Sequence, residues 1–319
     1  MFKSKKKRFV ALEVNEYVLR AIIWNGGSIE QAQVKERLIP FGIMEGDIVK
    51  DEMAFFELLK DAVKEWGIKR YDVRFFAPDS AVMMKSFVHP KEMDNIQLKG
   101  YVQMELGRSI HLPFSQPLID VFDDKPNDGE ATLFAAPYEE VNKLSELFSD
   151  SSLHPVIADI RSLSTIRFLE KNNCFTEKKS YLIADWSISG VSISIYTSGK
   201  LEFLRYQSLD NDWSKWNIRQ NNDELEMFYE NDIEEYRNQI IDQIAEIDRI
   251  LNFYRFSLYK GEKAVDEIIV LGDSPEIPFI KKELRANYTT PIKDVGTEIF
   301  PTIQGKFIPL LGLALKEAK

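Results

Sequence analysis

The sequence predicts an α/β fold of two domains with a smaller module inserted into the first. Three observations carry that expectation. At 319 residues the chain is long enough for two domains, or for one large domain with insertions. Residues 9–23, 181–196 and 267–280 each have the hydrophobic pattern of a strand running into a turn. Between the first two, residues 81–159 read as β-α-β-β-α-β, the order of a compact unit in its own right.

Residues 9–13 and 17–24 alternate as paired strands across a polar turn. Asn25-Gly26-Gly27-Ser28 is then a hairpin signal leading to a third strand at 31–39. Phe55, Leu58, Leu59, Ala62, Val63 and Trp66 fall three and four apart, so residues 52–66 form a helix, and 73–77 is a short buried strand. The module opens with a strand at 81–88, an N-cap at Asp94 and a helix at 96–108. On that helix Leu98, Tyr101, Val102, Glu105 and Leu106 repeat at helical spacing. His111-Leu112-Pro113-Phe114 ends it. Strands at 118–122 and 131–136 flank a polar hairpin containing Pro126, Asn127 and Gly129, and a helix at 138–148 and a strand at 156–159 close the module.

The second half begins with a helix at 160–171 and strands at 180–185, 191–197 and 200–205, the last two joined by Ser198-Gly199. Residues 209–236 hold nine carboxylates against Lys215 and Arg219, with Trp213 and Trp216 interleaved, and read as a loop leading into a helix. The two tryptophans would either anchor a partner or cover the core of a small subdomain. The helix at 233–257 is the longest, with an apolar stripe of Ile233, Tyr236, Ile240, Ile244, Ile247, Leu251 and Tyr254. A strand at 267–271, a helix at 277–286 and a terminal helix on 307–316 complete the chain.

Composition, at 44% hydrophobic and 29% charged residues, excludes a disordered chain and supports a sizeable core. The lone Cys174 cannot form an internal disulfide, which suits a reducing compartment, and it reads as an inert small hydrophobe. His89, His111 and His154 lack metal-ligand spacing, so no metal site is expected. No apolar run reaches the roughly 18–20 residues of a membrane span, and no secretory signal is expected, so the chain reads as cytosolic. Net charge is −10, with Lys3, Lys5, Lys6, Lys7 and Arg8 all among the first eight positions; those five positives leave −15 over the rest. The acidic body argues against nucleic acid as a partner. The basic start is either a solvated terminus or a weak contact to anionic lipid.

The three turns are where a phosphate cradle would be sought, because glycine and serine let a backbone approach phosphate and converge its N–H donors on it. The first reads Leu12-Glu13-Val14-Asn15-Glu16-Tyr17, the second Asp185-Trp186-Ser187-Ile188-Ser189-Gly190 and the third Gly272-Asp273-Ser274-Pro275. Glu16 and Tyr17 bring negative charge and bulk to the first. Repulsion between Glu16 and a phosphate would cost about 1–4 kcal/mol at effective dielectrics of about 20–80. The expectation is a scaffold that no longer depends on ATP, with no catalytic residue. Asp185 could still hold Mg²⁺ through water, against the plainer reading of a strand-ending turn residue.

Residues 13–20 align without gaps with the pattern Asp-Ile-Gly-Ser-Ser-Ser-Ile-Lys. His89-Pro90, Glu105, Leu112-Pro113-Phe114, Ile119-Asp120 and Leu153-His154-Pro155-Val156-Ile157-Ala158-Asp159 follow in the module. Asp185, Leu271-Gly272 and Leu311-Gly312-Leu313-Ala314-Leu315 come after it. As an ordered set these resemble the PilM family of type IV pilus assembly proteins, actin-like relatives of the cell-division protein FtsA. The resemblance implies an actin-like (ribonuclease H-like) two-domain fold with an SHS2-type insert. Residues 1–80 would form the first subdomain, completed by about 160–176 and 300–319; 81–159 would be the insert. Residues 177–299 would form the second domain, with a small helical, acidic subdomain at about 206–260. The departures are Glu13, Asn15, Glu16 and Tyr17 in the first turn, Trp186 and Ser187 in the second, and Asp273 in the third.

The resemblance further implies a cytoplasmic scaffold recruited to the inner face of the plasma membrane. It would dock the short cytoplasmic N-terminus of a bitopic membrane partner, PilN in the family, and meet other pilus platform or motor proteins. By position, Leu98, Val102, Leu112, Pro113 and Phe114 are the candidate wall of that groove, although a helix stop and a core stripe would explain them equally. Glu13, Asn15, Glu16, Asp185, Ser187, Gly272 and Asp273 mark the degenerate nucleotide turns. The alternatives are an ATP-binding, polymerising actin-like ATPase of the same family, and a sugar or acetate kinase, whose glycine-rich signatures are absent. An ending at Lys316-Glu317-Ala318-Lys319 leaves no amphipathic membrane helix of its own, which favours recruitment by a partner.

Overall fold

Two five-stranded sheets repeat one plan. The computed structural model describes residues 8–26, 31–125, 128–221, 224–230, 232–295 and 304–317. Strands β1 (Phe9–Val14), β2 (Val18–Trp24) and β3 (Gln33–Leu38) form an antiparallel meander. A short pair, β4 (Met44–Glu45) and β5 (Ile48–Val49), leads to helix α1 (Glu52–Glu65), whose first turn is capped by Asp51 accepting from the Ala54 N–H at 2.9 Å. The helix returns the chain so that β6 (Asp72–Phe76) lies parallel beside β1. Next come β7 (Met83–Val88), α2 (Asn95–Glu105), β8 (Pro117–Phe122), β9 (Glu130–Pro137), α3 (Tyr138–Asp150) and β10 (His154–Asp159). β10 joins the first sheet beside β6, giving the order β10-β6-β1-β2-β3.

Helix α4 (Arg161–Lys171) crosses to the second sheet, where β11 (Ser180–Trp186), β12 (Gly190–Thr197) and β13 (Lys200–Ser208) repeat the meander. A hairpin, β14 (Trp216–Asn221) and β15 (Glu224–Tyr229), precedes helix α5 (Glu234–Asn252), which widens into a π-helical turn over Phe253–Leu258. β16 (Glu267–Gly272), α6 (Ile277–Asn287) and β17 (Ile292–Lys293) finish a sheet of order β13-β12-β11-β16-β17. α7 (Ile308–Ala314) then packs on α4.

Strand alternation divides the buried side chains among three large cores. β11 and β12 are buried along their whole length, so each serves two. Tyr181, Ile183 and Tyr196 meet Ala11, Leu169 and Leu310 in a core that α4 and α7 fill between the two sheets. Leu182, Ala184, Ile193 and Ile195 meet Ile240 and Ile247 of α5 on the far face. Val10 and Leu12 of β1 face α1 and α3. Where α4 and α7 cross, a Cβ on Gly312 would lie 1.8 Å from the Ser164 carbonyl, so the helices approach this closely only because position 312 has no side chain.

Three expectations need correction. The elements expected to form one unit at 81–159 do not share one sheet: β7, β8 and β9 form a separate three-stranded sheet of order β7-β9-β8, with α2 on a core of Phe87, Leu98, Val102 and Leu133. α3 and β10 belong to the first sheet, because Val141, Leu144, Leu147 and Phe148 pack on Phe75 and its neighbours. The stretch at 209–236 is not a plain loop. Trp216, Ile218, Leu225, Met227 and Tyr229 recur at every second position of the β14–β15 hairpin, with polar residues and the exposed Phe228 between them, a period that the acidic composition conceals. Finally, α2 stops at Glu105, and Gly107 reverses the chain with φ +78°. The basic residues 3 and 5–7, Gly27-Ser28 and Pro126-Asn127 lie outside the described residues. Among the described residues no helix is long and apolar enough to cross a membrane.

Candidate functional site

The three turns converge on one hydroxyl. Tyr17, from the β1–β2 turn, is buried, and its hydroxyl donates to the Asp273 carboxylate with oxygens 2.7 and 2.8 Å away. The same oxygen accepts from the Ile188 N–H, in the β11–β12 turn, at 3.3 Å. Several other backbone donors of the turns are spent locally. Asn15 Oδ1 takes the N–H groups of Tyr17 and Val18, and the Trp186 carbonyl takes those of Asp273 and Ser274. The Ser187 N–H goes to the Gly190 carbonyl. Gly272 makes the third turn feasible, with φ +121° and space for no Cβ, since one would sit 1.9 Å from the Trp186 carbonyl.

Behind the hydroxyl lies a buried ion-pair cluster. Arg20 on β2 gives Nη1 to Glu13 at 3.1 Å, Nε to Glu36 at 2.6 Å and Nη2 to Asp273 at 2.8 Å. Glu36 is further held by Lys306 at 2.8 Å and by the Leu225 N–H at 2.7 Å. Arg161, at the start of α4, gives Nη1 to Glu13 and Nε to Asp185 at 2.6 Å, with Asp79 at 3.8 Å. Thus the cation facing Asp185 is a guanidinium. Asp185 Oδ1 is buried with no hydrogen-bond partner among the described residues, beside a void of about 40 Å³, enough for a single water.

Charge balance sets the titration. Burial works to raise Glu36 and Asp273, but Arg20, helped by Lys306 at Glu36 and by Tyr17 at Asp273, outweighs it and holds both below the usual range. Burial dominates at Asp185, Asp47 and Asp79, and lifts all three, Asp79 well above the ordinary value. Burial likewise opposes the charge on Arg20, and its three carboxylates more than restore it.

Of the residues expected in the nucleotide turns, Glu13, Asp185 and Asp273 come together in this cluster, and Asn15 buttresses it from within its own turn. Glu16 does not join them: its carboxylate accepts from the Trp213 indole at 3.2 Å, and burial raises its titration. Trp213 lies over Tyr17 with rings 5.5 Å apart, while Trp216 is buried edge-on against Tyr229 and Tyr236. The pair therefore covers core. Ser187 stays at the rim of the small void. Arg20, Arg161, Glu36 and Lys306 were not anticipated; their partners lie on other elements, beyond the reach of local pattern. A cleft of about 460 Å³ opens on the far side of the cluster, lined by Tyr17, Arg20, Gly272, Asp273 and Lys306 among others.

A second depression separates the inserted sheet from α4. It holds about 630 Å³ between Ile96, Lys99 and Phe122 of the insert and Leu163, Arg167 and Leu201 of the body. A neighbouring hollow of about 280 Å³ shares Lys99, Asp120, Leu163 and Lys316, so the two form one trench. β8 is an edge strand there, with Leu118 and Phe122 exposed. The residues expected to wall a peptide groove do not line this trench. Leu98 and Val102 are fully buried, because α2 must cover its own sheet, and Leu112 packs on that same core. Pro113 is exposed and Phe114 half-buried, outside the trench lining.

Comparison with known proteins places this geometry. The family model described as "Type IV pilus assembly protein PilM" matches residues 28–296. A solved structure described as a PilM-PilN type IV pilus biogenesis complex superposes with TM-score 0.76 at 18% identity, covering 98% of both chains. A Bacteroides thetaiotaomicron protein with an actin-like ATPase fold and unknown function gives TM-score 0.52 at 12% identity, over 98% of this chain and 97% of that one. MreB5 of Spiroplasma citri bound to ADP gives 0.51 at 11%, over 98% and 96%. No curated protein matches in sequence. The fold is actin-like.

Two outcomes follow from the cluster. Arg20→Met leaves Glu13, Glu36 and Asp273 buried without their shared cation, and should cost about 3–5 kcal/mol in denaturant unfolding; a loss below about 1 kcal/mol would mean the carboxylates relax into water. Asp79→Asn removes a carboxyl whose folded value is raised. Such a group favours folding below its unfolded value, near about 4, and opposes it once pH climbs through the folded value. The variant should therefore melt above the parent at neutral pH, with the gap closing on acidification; a pH-independent gap would contradict the assignment.

Proposed function

The chain belongs to the PilM family of type IV pilus assembly proteins, and we propose that it works as a non-catalytic cytoplasmic scaffold. Its ligand is an extended peptide, the short cytoplasmic N-terminus of a bitopic, PilN-like membrane partner. That partner brings it to the inner face of the plasma membrane, where it meets other platform or motor proteins. The observation that carries this reading is the trench between the insert and α4. It has the volume for several side chains, apolar walls at Ile96, Phe122 and Leu163, and the free edge of β8 along it. An unpaired edge strand offers a row of N–H and C=O groups, and exposed apolar residues beside it offer side-chain pockets; together they suit strand addition. The likeness to a PilM-PilN complex supports a partner of this kind.

The nucleotide turns support the non-catalytic half of the proposal. ATP and magnesium would be the group implied by an actin-like fold, and the residues present do not fit its phosphates. Tyr17 stands between the turns, several of their N–H donors are already used, and Asp185 faces Arg161 where a metal ion would be sought. Admitting phosphate would break the hydroxyl's bond to a buried carboxylate, at about 1.5–3 kcal/mol, before any repulsion from the cluster's surplus of carboxylates. A second reading, an ATP-binding and polymerising member of the family, draws on the 460 Å³ cleft beside Gly272, which has room for a base and sugar.

Titration with a synthetic peptide of the partner's cytoplasmic start tests the docking site. Ile96→Ser with Phe122→Ser should weaken the peptide by at least about tenfold, the loss of about 1.5 kcal/mol or more of apolar burial. Both side chains are exposed, so the melting temperature should not move. Undiminished binding would place the peptide elsewhere.

A further inference from the structure

The π-helical turn after α5 carries an exposed aromatic and basic tip. α5 follows the core with one buried residue each turn as far as Tyr254, whose hydroxyl reaches Ser180 and Thr197 at 3.1 Å and Glu202 at 2.6 Å. Holding that hydroxyl inside is accompanied by a change of helix type over Phe253–Leu258, and the wider turn swings the neighbouring side chains off the core. Phe253, Phe256 and Leu258 are 44%, 56% and 45% exposed, with Phe203 packed on the Phe253 ring at 6.3 Å.

Charge on this tip is opposite in sign to the chain's net charge. Residues 252–264 contain Arg255, Lys260 and Lys263 against Glu262 alone, in a protein of net charge −10. Arg255 lies over the Phe256 ring at 5.0 Å, and Lys263 over Tyr259 at 4.1 Å. The acid nearest beneath, Glu202, is taken up by the Tyr254 and Tyr259 hydroxyls and by Lys263 at 3.6 Å. Asp248, one turn earlier, bonds Asn252.

We propose that this tip is a membrane-contact surface, with Phe253, Phe256 and Leu258 entering the headgroup boundary of an anionic bilayer and Arg255, Lys260 and Lys263 meeting its phosphates. Apolar side chains ringed by cations suit that boundary, where burial and electrostatic attraction add. A protein partner would need matching acidic rims, whereas an anionic leaflet supplies negative charge in every direction. Position adds a point that rests on the peptide reading. Thr197, Glu202 and Phe203 hold the tip, and Tyr196, Gly199 and Leu201 line the trench, so one hairpin, β12–β13, carries both. A peptide leaving the trench for the membrane and a tip touching that membrane would then lie at the same end of the molecule.

Vesicle flotation of the full chain, without peptide, tests it. The chain should float with phosphatidylglycerol-containing vesicles, fail to float with phosphatidylcholine alone, and lose binding in high salt. Phe256→Ser with Leu258→Ser should reduce binding at least about tenfold. Arg255→Glu and Lys260→Glu should each reduce it by about fivefold or more, the equivalent of about 1 kcal/mol per basic residue. The melting temperatures should match the parent. Absence of binding to anionic vesicles overturns the proposal, and so does full binding by the Phe256/Leu258 variant, which would point to the basic residues 3–8. A dimer that this variant abolishes, in a protein that ignores vesicles, would make the tip an interface between copies. Peptide titration reads the trench separately, so either proposal can fail alone.

Discussion

One guanidinium ties the molecule together. Arg20 rises from β2 between Glu13 of β1 and Glu36 of β3, and its third arm crosses to Asp273 at the end of β16. The first three residues belong to one sheet and the fourth to the other. Arg161 repeats the crossing from α4, with Glu13 on one side and Asp185 on the other. A buried ion pair returns little net stability once desolvation is counted, yet losing one partner is costly, because the other is left charged and dry. The consequence is specificity of arrangement: the two sheets have one relative position in which every cation meets its carboxylates.

In that position the hydroxyl of Tyr17 is the meeting point of all three turns. A cleft between two domains can be held closed by a ligand that bridges them or by side chains that do so permanently. Here Tyr17, Asp273 and the Ile188 amide supply the bridge, and on the reading proposed above they make the domain arrangement independent of nucleotide. Binding energy is then free to be used elsewhere, along the trench, where the edge of β8 and the wall of α4 face each other. The two sides of the trench come from different units, the β7-β9-β8 sheet and α4.

The strand order was legible in the sequence because β1, β2, β11 and β12 are patterned by burial on both faces, and the helices because α1, α3 and α5 each bury one stripe. What escaped was the set of partnerships between elements. Glu13 was marked only as part of a degenerate nucleotide turn; it is neutralised by Arg20 and Arg161, seven and 148 residues away. Glu16, expected to repel phosphate, accepts a hydrogen bond from the Trp213 indole. Leu98 and Val102 carried the apolar stripe of α2, and a stripe alone cannot tell a docking wall from the underside of a helix on its own sheet. The β14–β15 hairpin was hidden because nine acids in one stretch suggest solvent, although a two-residue period runs through them.

The central claim is that side chains have taken the place of phosphate between the turns, and calorimetric titration of the protein with Mg-ATP tests it most directly. The account predicts no saturable heat up to millimolar nucleotide and no rise in melting temperature at that concentration. Saturable binding in the micromolar range, with a matching rise in melting temperature, would mean that Tyr17 gives way and that the chain is a nucleotide-switched member of its family.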